Sequence, residues 1–489
     1  MSILPTMTTI REALDFGWKR QQAGDLAGAE SIYRQVLASA PEHADAWCYL
    51  GIVLYDRRRW EESVDAYREA VRLRPLFPIA WSNMGNSLAA LDRTDEAESA
   101  ILKAIAQQAD YPTAWVNLGA LQVKLGRLQA SIESFERALA LSPDSESAHR
   151  NLGAALVRQG RLDAGQRHSE AALRINPRSA EAHRNRAIIR LLNGDWDRGW
   201  PEFEWRWHCA EQSLPVTGRP LYDGRTLQGE TVLLCAEQGL GDAIHFVRYA
   251  AHVRERGGRA IVEVPDSLVP VLRSFRHADA VVARGTPLPD FDYLLPMMSA
   301  PRVFGTRPDN VPNDVPYLFA EEERIARWRD RVPPAPLRVG IAWQGSRSHT
   351  GDRQRSVPLS LFRSIAATGA VLVCLQKGEG RDQIDASPIG HRFVDFGDAL
   401  DADAPFLDTA ALIGLLDLVI TVDTSLAHLA GALGARVWTV LQPVPDWRWL
   451  LQREDTPWYP TMRLVRAAAE EDWRPVFDRM ASDLALGPA

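Results

Sequence analysis

Cysteine is scarce in this chain of 489 residues: Cys48, Cys209, Cys235 and Cys374 are all there is, widely separated and without a C-x-x-C pair. That spacing excludes a disulfide framework and a thiolate zinc site, so the four read as small buried apolar residues. Positive charge is also short, with 56 Lys and Arg against 63 Asp and Glu and a net charge of −7. With no basic stripe, a nucleic-acid partner held by phosphate neutralisation is not expected. Long apolar runs are missing too. No segment reaches the length of a membrane span, and Met1 to Ile10 lack the basic stretch and apolar run of a secretory leader, which makes a cytoplasmic location the expectation. The remaining composition, 46% apolar and 24% charged, is that of a globular chain long enough for about three units of roughly 150 residues.

What the first two hundred residues do have is a repeat. Shifting the chain by 34 superposes Ala46-Trp47, Ala80-Trp81, Ala114-Trp115, Ala148-His149 and Ala182-His183. The same shift superposes Gly51, Gly85, Gly119 and Gly153, then Ala70, Ala104, Ala138 and Ala172, then Pro41, Pro75, Pro143 and Pro177. A two-helix hairpin of this length needs close packing at its small residues and a helix stop at its proline. The pattern resembles the tetratricopeptide repeat over residues 8–207, from a first unit carrying Gly17, Ala29 and Tyr33 to a last that fades into Trp200, Phe203, Trp205 and Trp207. Where one unit has Ala109 instead of proline, Pro112 is expected to end the helix slightly late. Such arrays stack into a superhelix whose concave face holds peptides. Asn83, Asn117, Asn151 and Asn185 recur at one repeat position and would form a row; a carboxamide both donates and accepts, so the row could clamp a peptide backbone, or merely decorate a solvated face. O-GlcNAc transferase carries a similar asparagine row in its repeats, and that resemblance implies a protein acceptor on the concave face.

Beyond a transition rich in tryptophan and proline (Trp196 to Pro220), with a boundary near residue 215, short apolar runs alternate with amphipathic stretches, as parallel α/β structure requires. Strands are expected at Thr231–Ala236, Ala260–Val264 and Tyr293–Leu295, with a helix over Asp242–Arg256 between the first two. The pattern restarts with strands at Leu337–Trp343, Val371–Leu375, Leu418–Val422 and Val437–Leu441 and helices at Ala410–Leu416 and Ser425–Leu433. Two Rossmann-like units in tandem, 208–335 and 336–489, would follow the repeat array of 1–207 and leave a cleft between them.

Three stretches could carry chemistry. Glu237-Gln-Gly-Leu-Gly241-Asp242 follows the first strand, where glycines permit a tight turn; with only two glycines it is not the dinucleotide fingerprint. Asp423-Thr424-Ser425-Leu-Ala-His428 leaves a strand and enters a helix, whose first amides suit a diphosphate, with His428 one turn after Thr424; simple N-capping and packing would use the same residues. Trp343-Gln344-Gly345-Ser346-Arg347, followed by Arg353, Arg355 and Ser356, is a loop whose arginines could fork onto phosphate or equally be a solvated basic loop. Asp401-Ala-Asp403 has the D-x-D form but no buried strand before it and reads as chance.

Val422 to Gly434 and the Gly241-Asp242 pair resemble the heptosyltransferase family. The resemblance implies a GT-B pair of Rossmann domains, with Asp242 as the catalytic base and Thr424 and His428 holding the donor phosphates; Gly241, Gln344, Asp423 and Ser425 are further donor-binding candidates. It also makes Arg355 the equivalent of a family lysine and places Gln376, Lys377 and Glu379 near the nucleoside. His245, one helical step after Asp242, is the other base candidate, or orients Asp242, or is a structural histidine. The Thr-Pro usual after that aspartate is absent, which opens the acceptor side. Asp446-Trp-Arg-Trp449 resembles a segment of bacterial repeat-linked glycosyltransferases and would line the donor pocket or bridge domains. The expectation is an inverting glycosyltransferase that needs no metal or other cofactor and moves a sugar from a nucleotide sugar to Ser or Thr of a protein, flagellin among the acceptors of such relatives. The alternatives are a non-catalytic scaffold and an enzyme acting on a cell-envelope glycan.

Overall fold

The computed structural model describes residues 9–209, 213–215, 217–347, 351–387, 389, 393–469 and 472–486. The helices of the first part keep step with the sequence repeat. First helices are α1 (Ile10–Gln22), α3 (Ala44–Asp56), α5 (Pro78–Ala90), α7 (Pro112–Lys124), α9 (Glu146–Arg158) and α11 (Ala180–Leu192). Their partners are α2 (Leu26–Ser39), α4 (Trp60–Leu73), α6 (Thr94–Gln107), α8 (Leu128–Leu141), α10 (Leu162–Ile175) and α12 (Trp196–Phe203). In three of the hairpins the repeat glycine lets an aromatic ring of the second helix close: a Cβ would sit 2.5 Å from the Tyr33 ring at Gly17, 2.6 Å from Tyr67 at Gly51 and 2.5 Å from Phe135 at Gly119.

The small-aromatic pair is explained by a local lock. Trp47, Trp81 and Trp115 donate their indole N–H to the carbonyls of Pro41, Pro75 and Ala109 at 2.8, 3.1 and 3.0 Å. His149 and His183 use Nε2 in the same way on Pro143 and Pro177, both at 3.0 Å. A ring N–H at that position and a backbone carbonyl six residues earlier are all the lock needs, so alanine replaces proline at 109 without cost to it. The expectation for Pro112 is corrected here: α6 stops at Gln107, in register with Leu73 and Leu141, and Pro112 opens α7 at its first turn. Its missing N–H falls among the first-turn amides that have no intrahelical partner anyway.

The chain divides into two compact units, 1–185 and 186–489, so α12 and the tryptophan-rich segment group with the second. Trp196 stacks on Trp458 at 5.4 Å, Trp200 meets Trp447 edge-on at 5.0 Å, and the Trp200 indole donates to the Thr306 carbonyl at 2.9 Å. The fading of the repeat there follows from these contacts, since the residues that would face a further repeat pack into the α/β half.

That half contains two parallel sheets. β1 (Thr231–Cys235), β2 (Arg259–Val264), β3 (Ala280–Ala283) and β4 (Tyr293–Pro296) lie in the order β3-β2-β1-β4. β5 (Arg338–Ala342), β6 (Val371–Cys374), β7 (Phe393–Val394), β8 (Leu418–Val422), β9 (Val437–Leu441) and β10 (Met462–Arg466) lie in the order β10-β9-β8-β5-β6-β7. β1, β8 and β9 are buried along their whole length, as parallel strands covered on both faces must be. In each sheet the chain runs outward from its first strand and then returns to that strand's other side, at β4 beside β1 and at β8 beside β5. These are the topological switch points, beyond whose carboxyl ends open α/β sheets bind ligands.

Two expected helices differ from those observed. The helix after β1 is broken into Leu240–Phe246, a tight turn at Val247–Tyr249 and Ala250–Glu255, because the Arg248 side chain inserts and donates Nε to the His245 carbonyl at 2.8 Å. The helix before β8 runs Leu407–Ile413, three residues early, because the Asp401 carboxylate accepts the Asp408 and Thr409 amides at 2.8 and 2.9 Å and so caps it from a distance. Asp403 meanwhile pairs with Arg324 at 2.8 Å, so both carboxylates of the D-x-D stretch do structural work.

Candidate functional site

At the first switch point the end of β1 is pinned to the loop after β4. The buried Glu237 accepts from Arg206 Nε at 2.9 Å and from the Met298 amide at 2.8 Å, and Arg206, fully buried, also donates to Ser299 at 2.7 Å. Burial pushes the Glu237 carboxyl up, more than Arg206 pulls it down. This brace holds the following turn, in which one oxygen of Asp242 accepts the Gly239 amide at 2.9 Å and the other is ion-paired with Arg448.

At the second switch point Thr424 is the N-cap of the helix Ser425–Ala432, its hydroxyl accepting the Leu426 amide at 3.3 Å. Arg355 joins the loops after β5 and β8 by donating Nη1 to the Asp423 carbonyl at 2.9 Å. Its other side lies over Gly345, where a Cβ would come within 2.6 Å of Nη2. The Asp423 carboxyl is pushed up to about 6, first by loss of solvent and then by Asp446, while Arg355 and Arg448 pull the other way.

The two motifs are brought together. Helix Leu240–Phe246 packs on helix Ser425–Ala432 so closely that a Cβ at Gly241 would meet His428 Cδ2 at 2.8 Å and Ser425 Cα at 3.4 Å. The His428 ring stacks on Trp449 at 5.3 Å, and its Nδ1 meets the Tyr459 hydroxyl at 3.1 Å. Burial and the nearby Arg448 push its basicity well below that of a free imidazole. His428 is therefore held toward its neutral form, in a ring packed between Gly241, Trp449 and Tyr459.

His245 is not placed to act as a base. It is wholly buried, its Nδ1 shares the Tyr459 hydroxyl at 3.1 Å, and it lies 4.4 Å, centroid to centroid, from Trp458. Burial pushes its basicity far down as well. Gln376, Lys377 and Glu379, the expected nucleoside contacts, also bind backbone. Gln376 accepts the Trp343 and Gln344 amides at 3.0 Å and donates to the Gln344 and Glu379 carbonyls, Lys377 binds the Leu400 carbonyl, and Glu379 takes the Arg347 amide. The Gln344 side chain receives Gln383 at 3.1 Å. These bonds shape the loops beyond β5 and β6, and Lys377 and Glu379 remain exposed there.

In the repeats, Asn83, Asn117, Asn151 and Asn185 are half-buried, and each already has a partner. Asn117 donates to Ser82 at 2.8 Å and Asn185 to the Arg150 carbonyl at 3.1 Å, each reaching one repeat back; Asn151 accepts Arg150 Nε at 3.3 Å, and Asn83 faces the Tyr67 hydroxyl. Asn83, Asn117 and Asn185 thus stitch repeats together, while Asn151 is bonded within its own helix, and each donor nitrogen has a second amide hydrogen beyond these bonds.

The residues that sequence reasoning left without a role are Arg448 and Arg248. Arg448 is buried between Asp242 and Asp446, with its guanidinium 4.3 Å from the Trp447 ring. Arg248 donates to the carbonyls of Pro312 and Trp458 at 2.7 and 2.8 Å and to the Tyr317 hydroxyl at 3.0 Å, tying the two sheets' loops together. The only sequence signal for Arg448 was its aromatic frame, Asp446-Trp-Arg-Trp449.

Tetratricopeptide repeat families match residues 14–76, 123–160 and 150–199. Protein FlbA of Caulobacter vibrioides is 26% identical over 322 residues, 60% of this chain; the match spans 53% of that protein, about half its length. A thermophilic tetratricopeptide protein of Thermus thermophilus superposes with a TM-score of 0.35 at 19% identity, covering 37% of this chain and 98% of its own. The MamA structure does so at 0.29 and 24%, covering 34% and 96%. No helix among the described residues is long and apolar enough to cross a membrane. The chain is a tetratricopeptide-repeat protein with a C-terminal α/β region of two parallel sheets.

Proposed function

We propose that the α/β region is an inverting glycosyltransferase of the GT-B type and that the repeats recruit its protein acceptor. The observation that carries this reading is the meeting, at Gly241, of the Asp242 turn with the Thr424-capped helix start, beside the two guanidiniums Arg448 and Arg355. The diphosphate of a nucleotide sugar would lie at the positive N-terminal end of Ser425–Ala432, with the hydroxyls of Thr424 and Ser425 as donors and His428 beside them. Asp242 takes the proton of a Ser or Thr hydroxyl as its oxygen bonds to the anomeric carbon, and the bond from that carbon to the phosphate oxygen breaks on the opposite face, releasing the nucleotide. Asp242 is the base because His245 is sealed away from any acceptor. Flagellin is the first acceptor to try.

Calorimetric titration of the purified chain with UDP, ADP and CMP tests the donor site. Binding of one nucleotide, weakened at least about tenfold by Thr424→Ala, is the expected result. No binding by any of the three would favour a non-catalytic scaffold.

A further inference from the structure

The side chain of Arg448 is engaged in an unusual way. A guanidinium offers a side-on fork, Nε with Nη2, that fits two oxygens of one anion. Here Asp242 takes Nη2 alone, because its other oxygen is bound to the Gly239 amide at 2.9 Å. Nε is buried, and among the described residues no acceptor reaches it. The other end of the guanidinium is held firmly: Asp446 receives both Nη1 at 2.7 Å and the Arg448 amide at 3.0 Å. The flat group lies against Trp447 at 4.3 Å and Phe246 at 5.1 Å, so it keeps its place while one of its partners changes.

The charges around it point the same way. Asp242, Asp446, Asp423 and Asp352 face two cations, Arg448 and Arg355, and the second is already paired with Asp352 at 3.4 Å and turned to the Asp423 carbonyl. An entering diphosphate meets a site with no net positive charge to offer unless one carboxylate gives up its hold. Asp446 is tied twice to Arg448 and Asp242 only once, so Asp242 is the one displaced.

We infer that Arg448 is the exchangeable cation of this site: without donor it holds Asp242 by half of its fork, and the diphosphate takes the whole fork and releases Asp242 to act as base. This rests on the donor reading above. It makes the base available only when a donor is bound and so couples acceptor activation to donor occupancy.

The test is titration of the full chain with inorganic pyrophosphate, UDP and ADP, comparing wild type with Asp242→Asn and Arg448→Lys. Asp242→Asn keeps the Gly239 contact but drops the charge that competes for Arg448, so the bound anion should hold roughly three- to tenfold more tightly while transfer is lost. A bridge serving only stability predicts equal or weaker binding, and that result with a wild type that does bind overturns the inference alone. If the wild type binds none of the three probes, the donor reading falls and takes the inference with it. Should Asp242→Asn fail to fold, Arg448→Lys decides. Lysine keeps the charge but not the fork, so anion binding should fall at least about tenfold with an unchanged near-ultraviolet dichroism spectrum; unchanged affinity in that variant overturns the inference.

Discussion

Replacing Asp423 by asparagine should stabilise the α/β half at alkaline pH and do nothing comparable at acid pH. Its carboxyl ordinarily titrates near 3.8 and is pushed up to about 6, mainly by loss of solvent and then by Asp446. The folded chain therefore holds the Asp423 proton more tightly than the unfolded chain. The stability linked to that proton is fully present below pH 3.8 and is lost as pH rises through about 6. With about 1.4 kcal/mol for every pH unit separating the two values, the ionised carboxylate costs the fold up to about 3 kcal/mol at pH 8. Asp423 retains some solvent contact, so about 1–3 kcal/mol is the expected gain for Asp423→Asn. Urea denaturation followed by tryptophan fluorescence at pH 8 and pH 5 is a suitable assay, because Trp447, Trp449 and Trp458 all lie in this unit. A gain at pH 8 that shrinks at pH 5 supports the electrostatic account. Equal effects at both pH values, or destabilisation at pH 8, would refute it.

Two further outcomes concern the repeats. Gly119→Ala places a methyl 2.5 Å from the Phe135 ring and should cost about 1–3 kcal/mol, part of it recovered in the double variant with Phe135→Leu; hydrogen exchange across α7 and α8 would show both. Arg58 is held at φ 60°, at a turn position where Gly24, Gly126, Gly160 and Gly194 have φ of 83°, 74°, 81° and 78°. Arg58→Gly should therefore stabilise the hairpin of α3 and α4 by about 0.5–1 kcal/mol, and a loss of thermal stability would count against the strain argument.

The helical half was legible because each repeat makes the same local contacts. A glycine under an aromatic ring, a ring N–H on a carbonyl six residues back and a left-handed turn residue all act within one hairpin, so they recur in the sequence at the period of the structure. The central strands were legible for a related reason, since β1, β8 and β9 are continuous apolar runs. What escaped was short or capped from afar. Ala280–Ala283 and Phe393–Val394 have too few residues to show a pattern, and Met462–Arg466 is disguised by Arg463 and Arg466, whose guanidiniums reach Asp483 and the Trp449 carbonyl.

The site divides along the same line. Amino-acid order alone was enough to single out Gly241-Asp242 and the Thr424 to His428 helix start, because glycine-bearing turns and N-caps are local chemistry. It could not tell His245 from a base or Gln376 from a nucleoside contact. Whether a polar side chain is free or already bound depends on residues far away in the chain, such as Tyr459 for His245 and Trp343 for Gln376. Nor could it show that Arg448, 206 positions from Asp242, holds that carboxylate. Local spacing determined the repeat, the strands and the helix starts; only the packing of one sheet's loops on the other's decided which of the polar groups at those loops remain available to a ligand.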